Sequence, residues 1–197
     1  MKGLNKLKSY MIGLLAVALI VGCSGNGDED PILRDDDEEI LTVSDLTFSG
    51  AETGRKVGGT FIGKAITSDG GHFMTIVMAD EDPDTYTLSI SRLMSQPFNF
   101  APGSYTIPAW TEDDDPTEGF YASLTMTGNA AMYMTYGEET GGTFRIDQRR
   151  TIGGREYVEG NLALTFANLM DNATRVSVQG TFMGFVDDLG VIDMDED

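Results

Sequence analysis

After the first forty residues, apolar and polar side chains alternate with a period of two. Tyr86, Leu88 and Ile90 interleave with Thr87, Ser89 and Ser91, and Ala122, Leu124 and Met126 with Ser123, Thr125 and Thr127. Val158, Leu162, Leu164 and Phe166 share a parity with Gly160, while Glu159, Asn161 and Thr165 take the other. Val176, Val178 and Phe182 alternate with Ser177, Gln179 and Thr181. This period puts one face of each segment on a core and the other in water. Further strand candidates lie at 41–48, 57–66, 72–78, 103–107, 131–136 and 142–149. Turn-forming clusters separate them: Asp69-Gly70-Gly71, Asp82-Pro83-Asp84, Ala101-Pro102-Gly103, Gly128-Asn129, Gly141-Gly142, Gly153-Gly154 and Asp171-Asn172. The pattern predicts an all-β body, an antiparallel β-sandwich of about ten strands, with a closed up-and-down β-barrel as the alternative. Hairpin-like connections favour the barrel. The longer connections Ser95–Pro102 and Ile107–Glu118 predict crossovers between sheets and favour the sandwich. Three Gly-Thr-Phe segments, Gly59–Phe61, Gly142–Phe144 and Gly180–Phe182, are unevenly spaced, so they mark no solenoid repeat. Each is expected to bend a strand over the core behind an inward Phe.

The start of the chain has a different pattern. Lys2, Lys6 and Lys8 precede an apolar run from Met11 to Val21, with no acid in residues 1–22. Crossing a bilayer takes about 20 apolar residues, so a run of eleven fits the core of a signal peptide instead. It ends in Ile20-Val21-Gly22-Cys23, which resembles the lipobox of bacterial lipoproteins. That resemblance implies lipidation of Cys23, cleavage before it, and anchoring to a membrane through acyl chains. An ordinary secretory signal with an incidental Cys is the alternative. Ser24 after the Cys resembles the outer-membrane class of sorting signals, and Asp28-Glu29-Asp30 resembles the surface-export signal of Bacteroidota lipoproteins. The division is then a signal peptide at 1–22, the lipidated Cys and an acidic tether at 23–39, the β-sandwich at 40–186 and an acidic tail at 187–197.

Charge narrows the choice of partners. The 197 residues carry 13 Lys+Arg against 32 Asp+Glu, a formal net charge of −19. Clustered cations are needed to neutralise phosphates, so no nucleic-acid partner is expected. Eight acids crowd residues 24–39 and six crowd the last eleven, which reads as a solvated tether and tail. A single Cys excludes an internal disulfide and Cys-based zinc sites, and a single His excludes the usual zinc-hydrolase clusters.

Candidate chemistry is sparse. A Ser–His–Asp arrangement would have to use His72, which sits at a strand start behind Gly70-Gly71 with no nucleophile elbow in the chain; it reads as a turn or edge residue. Calcium is the most reasonable metal. Asp80, Asp82 and Asp84 offer carboxylates at alternating loop positions, yet Thr85 and Ser91 stand where an EF-hand would have Gly and Glu. Glu112-Asp113-Asp114-Asp115 is a second acidic run, and both also read as solvated turns. Met126, Met132 and Met134 form either a soft copper(I) site or gap-filling core. Trp110, the only Trp, near Tyr121 and the acidic run, is either an exposed platform for a sugar or a plug at one end of the sandwich. Arg149, Arg150 and Arg155, with Arg145, surround the Gly153-Gly154 turn; they either grip an anionic group or pair with Glu156 and Glu159.

The segments Phe100–Ile107, Gly142–Ile146, Tyr157–Leu162 and Val176–Phe182, in that order, resemble a group of uncharacterised Bacteroidota lipoproteins with "pGtYt", "veGtF" and "GtF" strands. Asn161 departs from the Thr usual in that pattern. The resemblance implies an all-β body on a lipid anchor and supplies no catalytic residue. The expected function is a non-enzymatic binding or structural role at the outer membrane or cell surface, with a glycan or an envelope protein as partner. The alternatives are a carbohydrate-active or other hydrolytic enzyme using loop carboxylates, and a purely structural assembly module.

Overall fold

The computed structural model describes residues 42–80, 85–111, 114 and 119–193. Ten strands follow in order: β1 Val43–Gly50, β2 Gly54–Thr67, β3 His72–Asp80, β4 Thr87–Met94, β5 Gly103–Ile107, β6 Tyr121–Met126, β7 Ala131–Met134, β8 Gly141–Ile152, β9 Arg155–Asn168 and β10 Arg175–Ile192. The only helical element among the described residues is a short 3-10 turn, Thr127–Asn129. Each strand grows from one of the alternating segments. β6 is the simplest case, its buried Ala122, Leu124 and Met126 stepping past Tyr121, Ser123 and Thr125.

All ten strands belong to one sheet, ordered β1-β10-β2-β3-β4-β6-β7-β9-β8-β5, with extra pairings β1–β2 and β10–β9. These pairings form a ring. From β10 it runs through β1, β2, β3, β4, β6 and β7 to β9 and back, with β8 and β5 continuing from β9. The closing seam is short, Tyr133↔Asn168 and Met134↔Ala167. The body is thus the all-β, sandwich- or barrel-like enclosure that the alternation predicts. β4 pairs directly with β6, while β5 between them in sequence pairs with β8. The long connections on either side of β5 therefore carry the chain to β8 and back within one sheet, not between two sheets as their length predicts.

One cluster fills the interior: Leu46 from β1, Ile62 from β2, Ile76 from β3, Leu88 from β4, Leu124 from β6, Phe144 from β8, Leu162 from β9 and Phe182 from β10. Burying a side chain of this size contributes about 1.5–3 kcal/mol. The inward Phe expected of the Gly-Thr-Phe segments is found at Phe144 and Phe182, both wholly buried. The expectation fails at Phe61, which lies on the opposite face from the core residue Ile62 and crowds Gly63 instead. At Gly180 a Cβ would collide with the Asp45 carbonyl of β1, so the strand contact there depends on glycine. Gly160 is covered by the Phe182 ring from the register partner on β10.

Two further features depart from the sequence reading. β3 is buried on both faces from Phe73 to Met78 rather than on one. β10 continues past the expected boundary at 186 as far as Ile192, its last part lying parallel to β2 with Val186↔Ile62 and Asp188↔Lys64. Asp187 and Asp188 therefore belong to the sheet rather than to a tail. A parallel neighbour supplies the backbone pairing that two consecutive acids do not advertise.

Candidate functional site

Trp110 follows β5 and is 7% exposed. Its indole N–H donates to the Phe120 carbonyl at 2.9 Å, and its own backbone is bridged to Thr135 and Gly137. Trp110 is the plug of the two readings; an open stacking platform is absent at this residue. Phe120 beside it joins an aromatic group with Phe98, Tyr105 and Phe144, whose ring centroids lie 4.9–5.7 Å apart. Tyr121 points to the other side of β6. Its hydroxyl is buried near Ser91, and burial pushes its pKa well above the ordinary phenol range.

The arginines around Gly153-Gly154 are paired. Arg145 meets Asp147 at 2.8 Å, Arg149 meets Glu156 at 2.5 Å, Arg150 meets Glu159 at 2.6 Å and Arg155 meets Asp187 at 2.9 Å. Arg150 and Arg155 also lie over the rings of Tyr157 and Phe185, at 5.1 and 4.4 Å. A guanidinium engaged on both its edge and its face is a poor grip for an incoming phosphate or sulfate. The expected anion patch is a cross-strand lattice of ion pairs, each worth at most about 1 kcal/mol at such exposures.

Of the calcium candidates, Asp82 and Asp84 lie outside the described residues. Asp80, at the end of β3, accepts a hydrogen bond from the Thr85 hydroxyl at 2.5 Å. Cys23 and, in the second acidic run, Glu112, Asp113 and Asp115 also lie outside them. Asp114 accepts from the Thr111 backbone and hydroxyl at 2.6 and 2.8 Å, which closes a turn. No group of three His, Cys, Asp or Glu able to hold a metal occurs among the described residues. The methionines do not converge either. Met126 belongs to the core, whereas Met132 and Met134 pair with Thr125 and Ser123 on the opposite face of β6.

What the strands do assemble is a polar face with charge only at its margins. Thr106, Thr143, Ala163, Gln179, Thr47 and Arg55 are register partners in succession across β5, β8, β9, β10, β1 and β2. All six are exposed. At 4.7–4.9 Å per strand the row is about 24 Å long. A neighbouring row holds Thr165, Ser177 and Ser49, with the Thr165 and Ser177 hydroxyls 3.0 Å apart. Ser49, Gly142, Ala163, Thr165, Ser177 and Gln179 are among the residues that line a groove of about 250 Å³ beside these rows. Charges at the margins are neutralised, by Arg55 on Asp45 at one side and by Arg145 on Asp147, which also accepts from Asn161, at the other. Arg55 holds the Asp45 carboxyl below its ordinary pKa. Chemically this face offers hydroxyl and amide groups to a flat, polar, uncharged ligand. The alternation in β9 and β10 already placed Thr165, Ser177 and Gln179 toward water; the register that unites them with Thr47 and Thr143 has no sequence signal.

The chain matches no known protein family, no curated protein and no solved structure.

Proposed function

We propose that the chain is a lipoprotein anchored through Cys23 in the bacterial outer membrane, whose β-body binds a glycan without catalysis on the face of β5, β8, β9, β10, β1 and β2. The observation that carries this reading is the exposed row from Thr106 to Thr47 with the groove beside it. Sugar hydroxyls both donate and accept, and so do Ser, Thr and Gln side chains, so hydroxyl-rich ligands match this surface group for group. Its centre carries no net charge, which suits a neutral glycan better than a sulfated one. The carboxylates that a hydrolytic mechanism would draw on are otherwise engaged in this region: Asp147, Glu156, Glu159 and Asp187 each hold an arginine.

A glycan array probed with the purified full chain tests the reading. Binding should favour neutral glycans, and the double variant Thr143→Ala/Gln179→Ala should weaken it about tenfold through lost hydrogen bonds. Both positions are exposed, so the melting temperature should hold. Equal binding by the double variant, or a preference confined to sulfated glycans, would contradict the proposal.

A further inference from the structure

The described residues include nine lysines and arginines. Arg55, Arg145, Arg149, Arg150 and Arg155 have carboxylate partners. Lys56 lies 5.9 Å from the ring centres of Phe48 and Tyr86, and Arg175 donates to the carbonyls of Asn172 and Glu138. That leaves Lys64 and Arg92, neither within ion-pair distance of a carboxylate among the described residues, and the topology brings both to the same place. Lys64 is the register partner of Met74, and Met74 of Arg92. Directly paired residues project to one face, so all three side chains share the inward side of β2, β3 and β4. One row nearer the end of the enclosure, Ile66 pairs with His72 and His72 with Met94. The only histidine of the chain therefore stands beside this lysine.

A cavity of about 190 Å³ opens here, lined among others by Lys64, Ile66, His72, Pro97, Phe98 and Asp188. Phe98 packs 5.6 Å from Phe120, and the Arg92 guanidinium lies 4.9 Å over the same Phe120 ring. The Arg92 Nε is buried without a hydrogen-bond partner. In a chain of net charge −19, this end thus collects Lys64, Arg92 and an imidazole beside apolar walls, with Asp188 as the carboxylate on the rim.

We propose that this cavity binds a small carboxylate carrying a short hydrocarbon body. The Lys64 ammonium and an imidazole N–H of His72 donate to the carboxylate, while Ile66, Pro97 and Phe98 cover the hydrocarbon. The volume is small against the roughly 300–1,000 Å³ of pockets for drug-sized ligands, which suits a short hydrocarbon body. Asp188 on the rim, in register with Lys64, disfavours a dianion such as phosphate. This site lies apart from the polar face and does not depend on the glycan reading.

Titration of the purified, isotope-labelled full chain in detergent, followed by two-dimensional NMR, tests the proposal with three probes. Sodium butyrate should shift the amides of Lys64, Ile66 and His72 saturably, and 1-butanol and inorganic phosphate should each bind about tenfold more weakly or worse. Lys64→Met should weaken butyrate about tenfold and Lys64→Arg should restore it, with the remaining resonances unmoved as the check on folding. Asp188→Asn, at an exposed position, should tighten butyrate binding. Equal binding of butanol and butyrate, stronger binding of phosphate, no saturable shift at these amides, or unchanged butyrate affinity in both Lys64→Met and Asp188→Asn would overturn the assignment.

Discussion

The indole N–H of Trp110 donates to the Phe120 carbonyl inside the body, and this bond decides which of its two sequence readings applies. A lone Trp near Tyr and acids fits a sugar platform and an internal plug equally well by composition, because the difference lies in where the donor finds its acceptor. Trp110→Phe should leave that buried carbonyl unpaired and cost about 1–3 kcal/mol. Urea denaturation should show a lower midpoint at unchanged slope, with glycan binding retained. Loss of binding at unchanged stability would instead make Trp110 a ligand contact. Asp171 offers a second residue-level test. Its carboxylate accepts from the Thr174 hydroxyl at 2.7 Å and from the Ala173 amide at 3.1 Å, and these bonds hold its pKa below that of an ordinary aspartate. A depressed carboxyl pKa means that the turn gains its full stabilisation above the unfolded value and loses it as pH falls through the folded one. The carboxyl carbon resonance of Asp171 should therefore titrate with a midpoint below that of aspartate in the unfolded chain. A midpoint at or above that value would remove the capping role.

At the scale of elements, every strand candidate in the alternation corresponds to a strand of the sheet, because a one-sided surface imposes its period on the sequence. The features of those strands that escaped are the ones where that condition lapses. β3 is buried on both faces, so Phe73 to Met78 shows no alternation. The last part of β10 carries Asp187 and Asp188 at the enclosure's edge, where acids are tolerated because they reach water. Phe61 was expected inward by analogy with Phe144 and Phe182; parity in β2 sends it outward, since Ile62 holds the core position. Gly180 makes the strand-level prediction sharpest. Gly180→Ala drives a Cβ into the Asp45 carbonyl of β1, an overpacking expected to cost about 1–3 kcal/mol. Hydrogen exchange should speed up along β1 and the first half of β10 before it does elsewhere. A variant as stable as the parent would show that β1 moves aside without penalty.

For the whole molecule, the polar face could not be read in advance because it depends on register across six strands. Thr47 and Thr143 are far apart in sequence and meet through Gln179 and Ala163. The arginine patch was legible as composition, whereas its neutralisation was not: Asp187, which holds Arg155, comes from a strand segment first read as tail. The proposed address makes its own prediction. Cys23→Ser should move the protein from the membrane fraction to the soluble fraction of the native host, and a variant still in the membrane fraction would remove the lipid anchor. The glycan-binding face is tested most directly by mapping amide shifts on the full chain titrated with the neutral oligosaccharide that binds tightest on the array. The predicted result is a saturable set of shifts confined to Thr47, Ser49, Thr143, Ala163, Thr165, Ser177 and Gln179. Shifts centred on the 149–155 hairpin or the Trp110 region, or none at these seven residues, would contradict it.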